Sequence, residues 1–293
     1  MERVIFGDNQ FFGVNHSSEE KSRAQAIKFK DNQSIIKVLD FAIEEGIHTF
    51  MCTTHDRIGE ICHTIRSGKK YEYFEIYPCM PYAHKYANAV TELGILGSIK
   101  QYLPDNIFST FAKGSLAFVK KDFISMMELL IDTEMKMFKG ISTPVIFLQN
   151  VITDLLLGLG MTDFLVAFYH YIAEKYKAKA GFITMNLPLL LGVLESNGIK
   201  DPTICASINK IGFRMSGGRE VYEKIIAEKR CKLIAMQVFA AGAIPPKEAL
   251  EYVCNLNGID SILFGASSHA NIKSSKGFID AFSNKTDNIF MPL

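Results

Sequence analysis

The chain has 293 residues, 48% hydrophobic and 22% charged, a balance that suits a folded soluble enzyme and excludes a disordered chain. Lys and Arg total 32 against 31 Asp and Glu, a formal charge of +1, so no overall field draws in nucleic acid or an anionic membrane and any anion site has to be local. The opening Met1-Glu-Arg-Val-Ile-Phe has no basic stretch leading into a long apolar one, and the expected location is cytoplasmic.

Short β-rich runs alternate with longer amphipathic runs, the pattern of a parallel sheet with helical crossovers. Eight such units are legible, and they predict an α/β fold: a (β/α)8 TIM barrel forming a single domain over 1–293. Unit one is Val4-Ile-Phe-Gly, a long polar loop and a helix from Asn32 to Glu45, where Ile35, Ile36, Val38, Leu39 and Ala42 make an apolar stripe. Unit two pairs strand Thr49-Phe-Met-Cys-Thr with helix Arg57 to Ser67, and unit three pairs a strand from Tyr73 to Pro78 with a helix around Ala87 to Leu103. Residues 106–139 keep helical spacing before the fourth strand, Val145-Ile-Phe-Leu-Gln, and read as a helical insertion packed on the barrel. That apolar stretch continues to Phe168 but is broken by Gln149, Asn150, Asp154 and Asp163, each costly in a bilayer.

The second half is more regular. Strand Gly181-Phe-Ile-Thr-Met leads to helix Pro188 to Ser196, and strand Thr203 to Ile208 leads to helix Glu220 to Lys229. Strand seven, Lys232 to Phe239, precedes a helix opening at Pro245-Pro246; strand eight, Asp260 to Phe264, precedes Ser267-Ser268, which offer N-cap hydroxyls. The six cysteines lack paired spacing and read as reduced core thiols, with no metal site expected.

In a closed barrel the C-terminal strand ends gather functional side chains on one face. Asp8, Asn9, Gln10 and His16 follow strand one, and His55 and Asp56 follow strand two. Gln149 and Asn150 follow strand four, Asn186 strand five, Asn209, Lys210 and Arg214 strand six, and Gln237 strand seven. Amides at so many strand ends orient hydroxyls, carbonyls and phosphates without moving protons, and point to an oxygen-rich ligand. The same amides can also satisfy loop backbone groups. His55 and Asp56 are the preferred acid/base pair, with Asp8 and His16 comparable, because imidazole titrates near neutrality and carboxylates tune it. Asp56 also reads as the N-cap of its helix. Lys210 is a candidate amine and Arg214 a candidate anion binder. The small-residue runs Val238-Phe-Ala-Ala-Gly-Ala-Ile and Phe264-Gly-Ala-Ser-Ser let backbone N–H groups approach an anion, so Ala241, Gly242, Gly265, Ser267 and Ser268 are expected to cradle a phosphate.

Phe41-Ala-Ile-Glu-Glu-Gly-Ile-His-Thr-Phe with Thr53 and Glu60, Met185-Asn186 after strand five, Asn209 after strand six and the two final loops together resemble the aldo-keto reductases. The resemblance implies an NADP cofactor whose phosphates lie on the last two loops, and an Asp, Tyr, Lys and His tetrad in which tyrosine protonates the carbonyl oxygen. That tetrad is missing: Cys52 or Thr53 stands in the aspartate region, His55-Asp56-Arg57 where tyrosine is expected, Pro78-Cys79-Met80 without lysine, and Gln149 for histidine. The helix after Ser268 lacks the Glu and Asn that the resemblance implies as adenine contacts, having Lys273 and Ser274 nearby, and Tyr77 and Tyr82 are the tyrosines available as a substitute acid.

The leading expectation is therefore a lyase or isomerase, needing no cofactor, that moves a proton on a small phosphorylated or sugar-like substrate. The alternative is an aldo-keto reductase-like, NADP-dependent oxidoreductase, and the third reading is a ligand-binding barrel without catalysis. The sequence leaves room for a homo-oligomer.

Overall fold

A computed structural model describes residues 1–13, 19–82 and 116–289. His16, the helix expected over 87–103 and the first part of the 106–139 segment lie outside the described residues. The strands are β1 (Val4–Gly7), β2 (Thr49–Thr53), β3 (Glu75–Met80), β4 (Val145–Leu148), β5 (Lys179–Thr184), β6 (Thr203–Ser207), β7 (Lys232–Met236) and β8 (Ser261–Phe264). They pair in chain order, and the ring closes where β8 lies parallel to β1 with Val4 opposite Ile262 and Phe6 opposite Phe264. The chain is thus a closed parallel (β/α)8 barrel. Both faces of each strand are covered, which is why the strands read as unbroken apolar runs. Ile5, Met51, Tyr77, Phe147, Cys205 and Ile234 fill the interior, while Phe6, Phe50, Ile146, Phe182, Ile204 and Ile262 face the helices.

The helices are α1 (Glu19–Lys28), α2 (Asn32–Glu44), α3 (Asp56–Ser67), α4 (Leu116–Met135), α5 (Asn150–Gly158) and α6 (Asp163–Tyr171), then α7 (Leu187–Ser196), α8 (Arg219–Glu228), α9 (Pro246–Cys254) and α10 (His269–Ile289). Their starts follow local chemistry. Asp31 accepts from the Ser34 amide to cap α2, and Ile35, Ile36, Val38, Leu39 and Ala42 are buried as their spacing predicts. Asn186 caps α7 through the Leu189 amide, and Ser268 Oγ accepts from the Asn271 amide at the start of α10. All six cysteines are buried and unbridged.

Residues 116–135 of the expected insertion form α4, which lies against β3 and α6. Met127, Ile131 and Met135 bury one side of it. Asp132 fastens another side by accepting from the hydroxyls of Tyr171 at 2.7 Å and Tyr176 at 2.6 Å and from the Lys175 ammonium. The helix runs directly into the turn before β4, and its last residues are thereby fixed against the barrel.

Inside the barrel, the Phe147 ring lies on the backbone of Gly181, so that a Cβ at that glycine would meet ring carbons at 2.3–2.8 Å. Gly181→Ala is expected to destabilise the fold by ~1–3 kcal/mol through overpacking. Pairing it with Phe147→Leu should recover part of that loss, and urea unfolding of the single and double variants measures both effects.

Candidate active site at the C-terminal mouth of the barrel

The mouth is organised by two buried carboxylates. Asp8, 6% exposed at the end of β1, accepts from the Thr53 amide at 2.8 Å and from its hydroxyl at 2.7 Å, which locks the top of β1 to the top of β2. Glu134, 1% exposed near the end of α4, accepts from the Thr54 hydroxyl at 2.5 Å and from the Tyr82 amide at 3.2 Å and 3.3 Å. Between these anchors sits His55. Its ring stacks on Phe12 at 4.1 Å and lies 5.6 Å from the ring of Tyr82.

His55, not Asp56, caps α3: its Nδ1 accepts from the Arg57 amide at 3.1 Å. That bond places the proton of the neutral imidazole on Nε2. Asp56 is instead the exposed first residue of the helix, where a carboxylate favours the helix dipole. Burial raises the Asp8 carboxyl above its ordinary range, and the Thr53 hydrogen bonds pull the other way. Burial, then the charges of Asp8 and Asp56, push the Tyr82 phenol up as well, so it remains a protonated donor at neutral pH. Tyr77 is no substitute acid at this face. Its hydroxyl is 3.5 Å from the carboxylate of Glu75, the first residue of β3, and so points to the opposite end of the barrel.

Three of the expected amides, Gln10, Asn186 and Asn209, are committed to backbone groups. Asn209 is fully buried and closes its own loop through both the amide and the carbonyl of Phe213, at 2.8 Å and 2.9 Å. Asn186 is a helix cap, Gln149 is the N-cap residue of α5, and Asn150 is that helix's first residue. Asn9 opens a short 3-10 turn after β1 and is exposed. Gln237 does reach the mouth, where its Oε1 accepts from the Ser207 hydroxyl at 2.9 Å. Lys210 is paired with Glu248 at 2.7 Å, both about half exposed, so it sits in a solvent-facing ion pair and not in the apolar pocket that amine chemistry needs. Arg214 is exposed and lies over the Phe213 ring.

The two final loops are neighbours, with Phe239 and Phe264 ring centroids 6.5 Å apart. Yet the cradle is not open in the expected way. The Gly242 amide donates to Phe239 O at 2.8 Å and the Ala243 amide to Ala240 O at 3.2 Å, so the turn around Ala241 uses its own N–H groups. Gly265 is covered by Gln10, whose Oε1 stands 2.1 Å from the position a Cβ would take; Gln10 Nε2 also donates to Gly7 O at 2.7 Å. What remains is the start of α10 after Ser267 and Ser268. Lys28, which reaches Ser267 O at 2.5 Å from the end of α1, is a nearby cation that sequence reasoning missed. No spacing rule could have found it, since the two residues are 239 positions apart.

No protein-family model matches the chain, and no curated protein matches it. Solved structures do. Aldose reductase from Giardia lamblia aligns over 98% of this chain and 92% of its own at 12% identity and a TM-score of 0.53. An aldo-keto reductase from Klebsiella pneumoniae in complex with NADPH aligns over 100% and 92% at 10% identity and 0.53. Glycerol dehydrogenase from Gluconobacter oxydans aligns over 100% and 94% at 9% identity and 0.53. The fold is an aldo-keto reductase-like barrel.

At the mouth of that barrel a carboxylate, an imidazole and a phenol come from the ends of β1, β2 and β3: Asp8, His55 and Tyr82. The expectation of a lyase or isomerase is corrected by these matches, which are reductases and a dehydrogenase. The phosphate cradle that favoured it is taken up by Gln10 and by the turn's own carbonyls. Among the described residues no helix is long and apolar enough to cross a membrane.

Because burial lifts the folded-state pKa of Asp8, ionising it costs more in the folded chain than in the unfolded one. Its contribution is thus most favourable below the unfolded pKa and declines as pH rises through the raised value. Asp8→Asn keeps an acceptor oxygen for both Thr53 donors and removes the charge. The variant is expected to melt above wild type at about pH 8 and to lose that advantage towards about pH 4. Thermal melts across this range check it; a variant less stable at the alkaline end would mean that the charged hydrogen bonds outweigh desolvation.

Proposed function

We propose that the protein is an NADP-dependent oxidoreductase that interconverts a carbonyl and an alcohol on a small, polar, sugar-like substrate. The observation that carries this reading is the juxtaposition of a protonated phenol and an imidazole, Tyr82 and His55 with ring centroids 5.6 Å apart, at the mouth of an aldo-keto reductase-like barrel.

The residues at the β8 side suit an anionic dinucleotide. Lys28 brings a positive charge to the Ser267 carbonyl, and the first amides of α10 open beside Ser267 and Ser268. These residues would hold its phosphates; when bound, the nicotinamide supplies or accepts a hydride. The chain's own part is proton management. In the reducing direction Tyr82 donates its phenolic proton to the substrate oxygen as charge develops there, and His55 Nε2–H adds a second hydrogen bond to that oxygen. Burial and the Asp8 charge keep the phenol protonated until the oxygen becomes basic enough to take the proton. In the oxidising direction Tyr82 first gives its proton to solvent, and the phenolate then takes the proton of the substrate hydroxyl while His55 Nε2–H keeps its hydrogen bond to that oxygen. Phe12, stacked on His55, shields the imidazole from solvent and fixes its plane. Gln237 and Ser207 on the far side present hydroxyl- and amide-type partners that suit a polyhydroxylated substrate.

NADPH is expected to raise the melting temperature and to change fluorescence on binding, as any ligand specific for the native state does. Lys28→Ala should weaken that binding about tenfold, the loss of one charge-assisted contact. Tyr82→Phe should lower kcat for NADPH-dependent reduction of a hydroxyaldehyde by ~10²–10⁴-fold with little effect on cofactor affinity. Absence of any NADPH-induced shift in the wild-type protein would sink the reading.

A further inference from the structure

The chemistry proposed above uses two groups from different crossovers: His55 follows β2 and Tyr82 follows β3. Neither segment fixes the other through the sheet, because both residues lie beyond the strand ends. A carboxylate bridges the two segments: Glu134, delivered by α4 from 80 residues beyond Thr54 and 52 beyond Tyr82. One oxygen takes the hydroxyl of Thr54, the residue before His55, and both oxygens take the Tyr82 amide.

A carboxylate that is 1% exposed carries a desolvation cost of several kcal/mol that only close, multiple hydrogen bonds offset. Helix packing alone does not call for it, since the apolar side of α4 is already supplied by Met127, Ile131 and Met135. On the opposite side of the helix, Asp132 makes a separate network to Tyr171, Tyr176 and Lys175. Glu134 therefore stands out as a polar contact aimed at the mouth.

We propose that Glu134 is a positioning residue, which holds the Tyr82 phenol and the His55 imidazole at their working separation by clamping the Thr54 and Tyr82 segments together. The proposal rests on the oxidoreductase reading for its kinetic consequence but not for its geometry. Glu134→Gln preserves size yet turns an N–H₂ group towards one of the two donors, so the clamp loosens while the barrel keeps its core. A displacement of the acid on the order of 1 Å lowers the rate by about 10²-fold. The expected result is a fall of that size in kcat, with KM and NADPH affinity within about twofold of wild type. In a Tyr82→Phe background Glu134→Gln should cause no further loss, because it acts through the phenol.

An activity-independent readout is the NMR signal of the His55 ring, which feels the aromatic ring of Tyr82. Glu134→Gln should move those resonances towards the positions they take in Tyr82→Leu. A folded Glu134→Gln protein with wild-type kcat, the same loss in both backgrounds, or unmoved His55 resonances would each overturn the proposal. If wild type shows no NADPH-dependent turnover, the oxidoreductase reading fails on its own and the His55 resonances decide the positioning role. If Glu134→Gln does not fold, Thr54→Val removes the hydroxyl anchor instead, and its His55 resonances give the same two answers.

Discussion

Ring closure is the constraint on which the site depends. β1 and β8 are separated by nearly the whole chain, yet Val4, Ile5 and Phe6 pair in register with Ile262, Leu263 and Phe264. The seam is reinforced below by side chains: Ser261 Oγ donates to Glu2 O at 2.5 Å, and the Arg3 guanidinium reaches both Ile259 O and Ser283 Oγ. A parallel sheet left open would point its carboxyl ends along a line. Closed, it brings the ends of β1, β2 and β3 within hydrogen-bonding reach of one another, and Asp8 can receive the top of β2.

Closure also sets the electrostatics. Asp8 and Asp56 set negative charge near the Tyr82 phenol, whose ring lies 5.6 Å from that of His55. Negative charge beside a phenol disfavours phenolate, and burial acts in the same direction, so the two effects add at Tyr82 instead of competing. At Asp8 they compete, because the Thr53 donors stabilise the anion that burial penalises, and burial is the larger. The arrangement keeps a weak acid protonated while holding a carboxylate in readiness nearby. Thiols are excluded from this role: burial drives Cys52 and Cys79 far from ionisation.

The strands and caps were legible because they are local. β2 runs Thr49–Thr53 as its β-branched and aromatic run predicts, and Ser268 caps the last helix as its hydroxyl predicts, whereas the cap of α3 is His55 and not Asp56. The site was less legible because its key pairs are distant in sequence. His55 could be picked out as a strand-end imidazole, but its partners could not: Phe12 comes from the β1 loop, Tyr82 from beyond β3, and Glu134 from a segment that reads as an insertion. Composition of a loop also misled. Small residues at Gly242 and Gly265 do mark close approach of a group to the backbone, but the group is the turn's own carbonyl in one loop and the Gln10 side chain in the other. Likewise an amide at a strand end is equally well explained by backbone satisfaction, as Asn209 and Phe213 show.

Gln10 joins two halves of the mouth that differ in character. The half built from β1 to β4 carries the carboxylates, phenol and imidazole. The half built from β6 to β8 carries backbone held against its preferences: Gln237, Ala240 and Ala241 have φ of 54°, 47° and 59°, each costing ~1–3 kcal/mol for a residue with a Cβ. Such conformations persist only where surrounding contacts over-determine them. Here Ser207 holds the Gln237 side chain at 2.9 Å, Phe239 packs against Phe264, and Ala240 is buried with Ile244 and Ala249. With its amide on Gly7 O and its carbonyl oxygen over Gly265, Gln10 packs the end of the first strand against the last loop, and the space a side chain would need at that position is already filled, which is why the loop carries a glycine there.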